Sequence, residues 1–480
     1  MVEHLGGLRV EVGDAVVERL AAICPVDATD EARSDHGHDW WPLAMRWAGR
    51  GEVPALPAVV VSPTDSTQVA AVLAVCSGAR VPVTPAAGRS GVCGGSVPVF
   101  GGISLDLCGM SGLVEVDDGS LLVSARAGTN GAVFEAELRT VHGLTIGHRP
   151  QSLAISTVGG WLACRSAGQY STRYGKIEDM VVGLEVALAD GRLIRTGGRA
   201  PRSATGPDLG QLFVGSEGTL GVITEATFRA APLPPAERRA AFGFGSFEEG
   251  LDACRRIVRR GATPAVLRLY DLVESRRNFG VDDGAVLVVL DEADPRLADA
   301  VLHLVGEECA GAERLDDALV DRWLSHRDDV STLVALVAAG VVGDTCEVAA
   351  RWSALPGLYR AAVAALEAVP GTIVASAHQS HAYRDGACIY LTFGGRRDGA
   401  EPDDAYYVEA WDAVTAAVLQ AGGTISHHHG VGINRARFLR EELGGSYDTL
   451  VALKAALDPH GILNPGKLGL PSPWGQPAWP

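Results

Sequence analysis

The stretch that decides the fold has three blocks: residues 147–152 read Gly-His-Arg-Pro-Gln-Ser, residues 156–161 read Ser-Thr-Val-Gly-Gly-Trp, and residues 215–224 read Gly-Ser-Glu-Gly-Thr-Leu-Gly-Val-Ile-Thr. Each block places glycine beside serine or threonine between strand-like runs. Small residues let the backbone approach a bulky ligand, whose phosphates or ring heteroatoms can then meet N–H groups and hydroxyls. A fourth block, residues 85–92, reads Pro-Ala-Ala-Gly-Arg-Ser-Gly-Val. Together the blocks predict a binding site for such a ligand.

Length and composition describe a globular protein with two or more domains or one large two-lobed fold. The chain has 480 residues, of which 47% are hydrophobic. Its formal net charge of -17 argues against nucleic acid or an anionic membrane surface as the main partner, because both attract clustered positive charge. An anionic small-molecule substrate stays open, since a pocket can hold a few arginines whatever the total charge.

Cysteine usage and the start of the chain predict a cytoplasmic protein. None of the nine cysteines belongs to a C-x-x-C pair, so neither a disulfide framework nor a zinc ribbon is indicated. The first 20 residues carry four acidic side chains and lack the basic and apolar regions of a signal peptide. The longest apolar run, residues 333–342, is too short for a membrane span, which takes about 20 residues.

The order of elements around residues 85–92 excludes a Rossmann site. A strand is predicted at 81–84 before the loop, and another at 102–107 after it. The Rossmann motif must instead open a helix whose N-terminus receives the pyrophosphate. The G-x-x-G-x-x-G spacing that starts at Gly88 is therefore not that motif.

A Pro-Leu-Pro-Pro run at residues 232–235 predicts a boundary between two parts of the chain. Beyond it, residues 242–308 show a half-polar β-α-β-β-α-β rhythm. This rhythm predicts an antiparallel sheet with helices on one face.

Four further motifs, taken with the glycine-rich blocks, carry a family resemblance. They are Tyr-Gly-Lys-Ile-Glu-Asp at 174–179, Ser-Ala-Thr-Gly-Pro-Asp at 203–208, Asp-Gly-Ala-Cys-Ile-Tyr at 385–390, and Ser-His-His-His-Gly-Val-Gly at 426–432. The series resembles the vanillyl-alcohol-oxidase superfamily of flavoproteins. Within it, the chain is most similar to the alkylglycerone-phosphate synthase-like flavoproteins and their bacterial FAD-linked oxidase relatives, over roughly residues 30 to 470.

The resemblance implies an α+β fold with a two-lobed PCMH-type FAD-binding domain and an α/β cap domain built on an antiparallel sheet. On this basis we expect an N-terminal helical segment over residues 1–52 and the FAD-binding domain over 53–235. The cap or substrate domain is expected over 236–435, and a C-terminal segment that returns to the FAD domain over 436–480. A homodimer would fit the resemblance, since dimers are common among relatives.

The resemblance also implies a bound FAD. Superfamily members that tether FAD through histidine often place it in the phosphate loop, and this loop has none, so we expect non-covalent FAD. Cys93 is a second conceivable attachment point, although a small buried thiol is the simpler interpretation. The residues implied on the pyrophosphate are Pro85, Ala86, Ala87, Gly88, Arg89, Ser90, Gly91 and Val92. Those implied around the rest of the cofactor are Pro150, Ser152, Thr157, Gly159, Gly160, Trp161, Ser166, Glu217, Gly218, Gly221 and Ile223.

Tyr390 matches the tyrosine that acts as general acid/base in the synthase. A phenol titrates near 10, so it needs a neighbouring cation or base to lose its proton near neutral pH. His427, His428 and His429 could supply that, and the residue matching His429 is essential in the family. Arg268 matches a family arginine near flavin and substrate. The alternatives are an exposed histidine loop and a cap-surface salt bridge for Arg268.

A metal site is a further alternative, because His378 and His381 raise the count to five histidines in about fifty residues. Related 2-hydroxy-acid dehydrogenases hold a metal with a Glu-His-Gly turn and a His-x-His pair. Here the turn reads His-His-Gly and the pair is His-x-x-His. We therefore predict no metal.

One departure from the family concerns the substrate. The synthase carries an arginine for its phosphate-bearing substrate, and the alignment puts Leu333 at that position. Arg327 lies six residues earlier and would need a gap to replace it. Without this guanidinium the usual way of holding phosphate is missing, so acyl-dihydroxyacetone phosphate is a doubtful substrate.

We accordingly predict an FAD-dependent oxidoreductase that oxidises a small alcohol, hydroxy acid or related metabolite by hydride transfer to flavin N5. Tyr390 and His429 would be the acid-base groups, and dioxygen or another acceptor would take the electrons. The alternative is a synthase-like transferase, in which FAD forms a transient adduct with the substrate and there is no net redox change. A flavin-binding protein without turnover is the third possibility.

Overall fold

A computed structural model of the chain describes residues 2–5, 7–198, 200–329, 341–397 and 403–479. Leu333, on which the phosphate argument depends, lies outside the described residues. Among those that are described, no helix is both long and apolar enough to cross a membrane.

The first lobe begins with a four-stranded sheet of order β2-β4-β6-β5. In its centre, the valines of β4 pair in parallel with Ile103, Ser104 and Leu105 of β6. Asp65 caps the helix that covers this sheet by accepting from Gln68 N, as an N-cap residue does. The elements are β1 Val2–Glu3, α1 Asp14–Ala21, β2 Val26–Asp27, α2 Asp30–Asp35, α3 Pro42–Ala48, β3 Glu52–Val53, β4 Val59–Val61, α4 Ser66–Ala79, β5 Val83–Ala86 and β6 Ile103–Asp106.

The expectation of a helical segment over residues 1–52 is only partly right. Three helices are present, but β2 joins the sheet by pairing antiparallel with β4, and β1 pairs with β3. These strands are two residues long, so they have no period-2 pattern that a sequence could display.

The second half of this lobe is a five-stranded antiparallel sheet of order β11-β10-β12-β8-β7. Two antiparallel pairs, β10 with β11 and β7 with β8, form its edges. Phe134, Trp161 and Phe228 pack in its core, and the helix Gly131–Glu137 continues into a π-helical turn, Leu138–His142. The elements are β7 Leu113–Asp117, β8 Leu122–Arg126, α5 Gly131–Glu137, β9 Leu144–Thr145, α6 Val158–Ala163, α7 Ser171–Tyr174, α8 Ile177–Met180, β10 Val181–Ala187, β11 Leu193–Gly197, β12 Val222–Arg229 and β13 Ala231–Pro232.

The second lobe is a seven-stranded antiparallel sheet of order β17-β14-β16-β15-β19-β20-β18. Its elements are β14 Ala236–Phe244, α9 Phe247–Arg259, β15 Val266–Tyr270, α10 Leu272–Phe279, β16 Ala285–Ala293, α11 Pro295–Glu308, β17 Glu313–Leu315, α12 Ala318–His326, β18 Val342–Arg351, α13 Leu355–Glu367, β19 Thr372–Ala382, β20 Gly386–Gly395 and α14 Asp403–Gln420.

Helices lie on both faces of this sheet, so the prediction of helices on one face is incomplete. Side chains of α9, α11, α13 and α14 share one core with one face. The opposite face packs against Phe279 of α10 and against Val320 and Trp323 of α12. That second face also carries the polar residues described below.

The C-terminal residues pack against the first lobe. Lys454 Nζ donates to Thr219 O at 2.8 Å, and Asn464 Nδ2 donates to Gly95 O and Glu217 O. These contacts fix the loops that line the cavity of the next section. The helices of this region are α15 Leu439–Leu443 and α16 Ser446–Leu457.

Candidate active site

A cavity of about 830 Å³ lies between the loops of the first lobe and the polar face of the second sheet. All the residues predicted to contact FAD line it, and so do Arg268, Tyr390, His428 and His429. His427, predicted with them, does not line it. Two walls can be distinguished: the loop wall, made by residues 85–92, 150–166 and 216–223, and the sheet wall, made by Arg268, Glu274, Thr345, His378 and Tyr390.

The loop wall presents backbone to the cavity. The N–H groups of residues 88–92 donate no hydrogen bond to any part of the chain that the structure describes. A Cβ on Gly88 would stand 2.2 Å from Ile155 O, so the loop packs this closely only with glycine there. Unpaired N–H groups in a concave loop are a site for phosphate oxygens. The residues present therefore fit the diphosphate of FAD.

Several predicted cofactor residues also hold the loop wall together. A Cβ on Gly159 would stand 2.7 Å from Ala127 Cβ, and one on Gly221 would stand 2.6 Å from Val186 Cγ1. Trp161 is buried and donates to Ser156 Oγ at 2.7 Å. Ser166 Oγ lies 2.9 Å from His148 Nε2. These contacts set the shape of the cavity as well as its lining.

Glu217 has a structural role that the sequence did not indicate. Its carboxylate accepts from Val431 N at 2.6 Å and from Gly432 N at 2.8 Å. Burial raises the pKa of Glu217, and these two N–H groups oppose the rise. The carboxylate thus ties the loop wall to the loop that follows the three histidines.

The sheet wall follows from strand alternation. In β20, Ile389, Leu391 and Phe393 point into the core shared with the helices. Tyr390 and Thr392, between them, point into the cavity. Because successive side chains alternate across a strand and paired residues share a face, neighbouring strands add their own polar residues beside Tyr390. His378 is its partner in β19 and Glu347 its partner in β18.

A buried chain of polar contacts orients Arg268. Glu274 Oε2 lies 2.8 Å from His378 Nδ1, and His378 Nε2 lies 2.7 Å from Arg268 Nη2. Arg268 Nε also donates to Tyr270 Oη at 3.1 Å. Burial raises the pKa of Glu274, but the contact with His378, the charge of Arg277 and the hydrogen bond from Thr392 outweigh it and lower the value to about 2. Burial lowers the pKa of His378, so its imidazole is neutral. An ionised Glu274 keeps the proton of His378 on Nδ1, which leaves Nε2 to accept from Arg268.

Arg268 has no carboxylate partner among the residues the structure describes, and it is only 9% exposed. The cap-surface salt bridge considered above is therefore wrong. Arg277, Arg322 and Arg327 also line the cavity. Arg327 Nη1 donates to Tyr170 Oη at 3.0 Å. Arg277 pairs with Glu274 at 3.2 Å and Arg327 with Asp328 at 3.6 Å. Arg268, which has no such partner in the described chain, is the guanidinium that suits the cap side of the cavity to an anion.

Tyr390 is a neutral phenol in this setting. Burial raises its pKa above 10, and the hydrogen bond that Thr345 Oγ1 donates to it at 2.9 Å lowers the value less. Its ring stacks on His378 at 4.9 Å between centroids and stands perpendicular to His429 at 5.6 Å. A phenol that holds its proton donates a hydrogen bond more readily than it acts as a base. The prediction that Tyr390 itself takes the substrate proton therefore has electrostatics against it.

Glu347 organises the histidine loop. It accepts from the backbone N–H of His427, His428 and His429, and it forms a two-pronged ion pair with Arg435 at 3.0 and 2.5 Å. Its Oε2 lies 3.0 Å from His429 Nδ1. Burial raises the pKa of Glu347, but Arg435 and His429 bring it well below the ordinary value. Glu347 is thus the nearest carboxylate to His429 Nδ1, while His429 Nε2 has no hydrogen-bond partner in the described chain and would face a substrate in the cavity.

Three ring nitrogens, from His381, His427 and His428, lie within 4.8 Å of one another. Burial and the neighbouring histidines lower the pKa of His381 and His428 well below the ordinary value, and burial lowers that of His427 to about 4. Neutral imidazoles are the form that binds a divalent metal. The cluster thus has the donor set of a metal site, and the absence of metal stays a prediction.

Sequence reasoning missed Glu274, Thr345 and Arg435, and assigned no role to Glu347. Thr345 and Glu347 lie on the cavity face of β18, so strand alternation, applied to residues 342–351, is the signal that could have found them. Glu274 and Arg435 lie outside the strands, and no local pattern announces them.

Comparison with known families matches both lobes. Residues 57–197 match the FAD binding domain, and residues 233–468 match the FAD linked oxidases, C-terminal domain. In sequence the chain is similar to the uncharacterized FAD-linked oxidoreductase YgcU of Escherichia coli strain K12, with 31% identity over 86% of this chain and 89% of that protein. It is similar to glycolate oxidase subunit GlcD of Bacillus subtilis, with 31% identity over 89% of this chain and 92% of that protein.

The synthase side of the resemblance is present as well. Alkyldihydroxyacetonephosphate synthase of Trypanosoma brucei brucei is 30% identical over 88% of this chain and 75% of that protein. A solved structure of an alkyldihydroxyacetonephosphate synthase superposes with a TM-score of 0.78 at 23% identity, covering 97% of this chain and 87% of the other. Both lobes of the fold are therefore shared with that enzyme.

Proposed function

The chain belongs to the FAD-linked oxidases, and from that premise we propose that it oxidises a small 2-hydroxy acid or a similar anionic alcohol. It binds FAD, which supplies an acceptor for the hydride of the carbon that carries the hydroxyl. The loop 85–92 contains no histidine, and Cys93 is buried with its Sγ 3.7 Å from Gly430 O. Both features support non-covalent binding.

The observation that carries the proposal is the guanidinium of Arg268. It is buried, it lines the cavity, and its contacts to His378 and Tyr270 are neutral. A buried charge without a partner is costly, and a carboxylate ligand removes that cost by a charge-assisted hydrogen bond. A substrate whose carboxylate meets Arg268 would bring its hydroxyl carbon close to Tyr390 and His429.

In this proposal His429 takes the proton from the substrate hydroxyl. Glu347, whose Oε2 lies 3.0 Å from His429 Nδ1, stabilises the imidazolium that results, as a buried carboxylate does behind a histidine base. Tyr390, neutral and supported by Thr345, donates a hydrogen bond to the substrate oxygen and orients it. His428 lines the cavity beside them and is the second candidate for the proton.

Paired substrates test the proposal. Each of a set of 2-hydroxy acids is supplied beside the uncharged alcohol in which a methyl group replaces the carboxylate, with a dye as electron acceptor. We expect turnover of at least one acid with a KM at least about tenfold below that of its neutral partner, because one charge-assisted hydrogen bond contributes about 1.5–3 kcal/mol. Arg268→Met should abolish this preference. Equal turnover of both members would refute the anionic substrate.

The second candidate is a transferase of the alkyldihydroxyacetonephosphate synthase type. The 30% identity to the Trypanosoma brucei brucei enzyme over 88% of this chain favours it. The reaction exchanges groups on the substrate without net redox change. It is distinguished by turnover that proceeds without any electron acceptor.

A further inference from the structure

Asp39 occupies the turn between α2 and α3 and lies against the loop wall. Asp39 is 2% exposed and lines the cavity. Trp41 N donates to its Oδ1 at 3.1 Å. The turn is held in place by Trp41, whose Nε1 donates to Tyr407 Oη at 2.7 Å. The position of the carboxyl is therefore set by contacts to both lobes.

The other oxygen, Oδ2, is buried and has no hydrogen-bond partner in the described chain. A Cβ on Gly91 would stand 3.6 Å from it, so it lies beside the loop of unpaired N–H groups. A buried polar atom without a partner is costly, and such atoms in a cavity usually meet a ligand or water. Here the ligand that the cavity takes is FAD.

Burial favours the neutral form of Asp39, against its polar and charged neighbours. Burial raises the pKa of Asp39 to about 7, against the N–H groups of Trp41 and Ser96 and the positive charge of Lys467. Lys467 Nζ donates to Val97 O at 2.7 Å. Its positive charge lies near both Asp39 and Glu217, and both carboxyl groups act to raise the pKa of Lys467. Arg89, in the adjoining loop, is bonded to Asp35 and His36. A bound diphosphate adds negative charge and raises the pKa of a nearby carboxyl further.

We propose that Asp39 binds FAD as a neutral carboxylic acid, with Oδ2 carrying a proton that it donates to an acceptor atom of the cofactor. FAD then holds the proton on Asp39, and by linkage FAD affinity falls as the pH rises. This role is independent of which substrate the enzyme oxidises.

The test is FAD release from the holoenzyme after dilution, followed by the fluorescence of free FAD between about pH 6 and about pH 8.5. For the unmodified protein the dissociation constant should rise at least about tenfold across this range. A site that binds FAD only when its carboxyl is protonated loses about tenfold in affinity per pH unit above the pKa that this carboxyl has in the FAD-free protein. Asp39→Asn keeps a donor of the same shape and should retain FAD with a nearly pH-independent constant. Asp39→Ala should bind FAD more weakly at every pH.

Two outcomes would overturn the proposal. In one, Asp39→Asn keeps the pH dependence of the unmodified protein, which would assign it to Lys467 or another group. In the other, Asp39→Asn weakens FAD at low pH as much as Asp39→Ala does, which would mean that the carboxylate acts as an acceptor for loop N–H groups. Should neither variant fold, proton uptake by the unmodified apoprotein on FAD binding near pH 7.5 decides: uptake is expected, and its absence contradicts the proposal.

Discussion

The two walls of the cavity bind their ligands with different parts of the chain. The loop wall offers backbone N–H groups at positions where a Cβ would collide with the neighbouring chain, as at Gly88. The sheet wall offers side chains, and its charges are positioned by partners from distant residues, as Glu274 positions His378 and Arg268. The loop wall therefore depends on residues without a side chain, whereas the sheet wall depends on the hydrogen bonds that position its side chains.

The two walls should therefore fail in different ways. Substitutions in the loop wall should weaken FAD binding. Substitutions in the sheet wall should lower the rate of turnover while the protein keeps its FAD and stays yellow. The following variants test this difference.

The largest effect is expected from Gly88→Ala. The new Cβ would stand 2.2 Å from Ile155 O, so the loop must move and its N–H groups leave their positions. We expect protein purified without flavin absorbance. Gly306→Ala is the control, because nothing lies within 4 Å of a Cβ there. A yellow Gly88→Ala variant with unchanged FAD affinity would contradict the loop wall as the phosphate site.

Next comes His429→Gln. Loss of the proposed base should lower the rate of flavin reduction by roughly 10²–10⁴-fold, the usual contribution of general-base catalysis, with FAD retained. His427→Gln is the comparison, because His427 lies in the same loop but does not line the cavity. Rapid-mixing absorbance measures both. An equal loss in the two variants would point to the shape of the loop rather than to His429.

Glu347→Gln should destabilise the protein by about 3–5 kcal/mol, because it leaves the charge of buried Arg435 without its partner. The folded pKa of Glu347 lies well below the unfolded value of about 4.3. Its contribution is therefore complete above about pH 5 and is lost as the pH falls toward the folded pKa. The difference in unfolding free energy should shrink in acid. Glu248→Gln, which breaks an exposed pair with Arg360, is the control.

Tyr390→Phe should reduce the rate of flavin reduction by about 10²-fold or less, since it removes one oriented hydrogen bond to the substrate oxygen and leaves the proposed base. Spectra before and after acid precipitation should show normal FAD. Tyr359→Phe serves as the control outside the cavity. A larger loss than that of His429→Gln would make Tyr390 the main acid-base group, as the resemblance implied.

The difference between the walls also explains how much was predictable. The glycine-rich blocks of the loop wall could be recognised because only glycine tolerates the close approaches at Gly88 and Gly159. A requirement for glycine is visible in the sequence at each single position. The α+β fold followed from the family motifs, and the strands on either side of the 85–92 loop followed from their apolar runs.

The sheet wall was only partly predictable. Arg268, Tyr390 and His429 were named from family motifs, but their partners come from other elements and carry no motif. The roles of Glu274 and Thr345 become visible only in the folded sheet, where β15, β18, β19 and β20 lie next to one another and bring these two side chains to His378 and Tyr390. The neutral state of Tyr390 likewise depends on its burial in the folded protein, which no local pattern reveals.

Anaerobic titration of the purified holoenzyme, followed by its visible spectrum, tests the central claim most directly. The account predicts that one of a panel of 2-hydroxy acids bleaches the flavin, that admitting an electron acceptor restores the colour, and that Arg268→Met shifts the titration to much higher concentrations of the acid. Flavin that stays oxidised with every acid, in a protein that turns over without an electron acceptor, would contradict the account and favour the transferase.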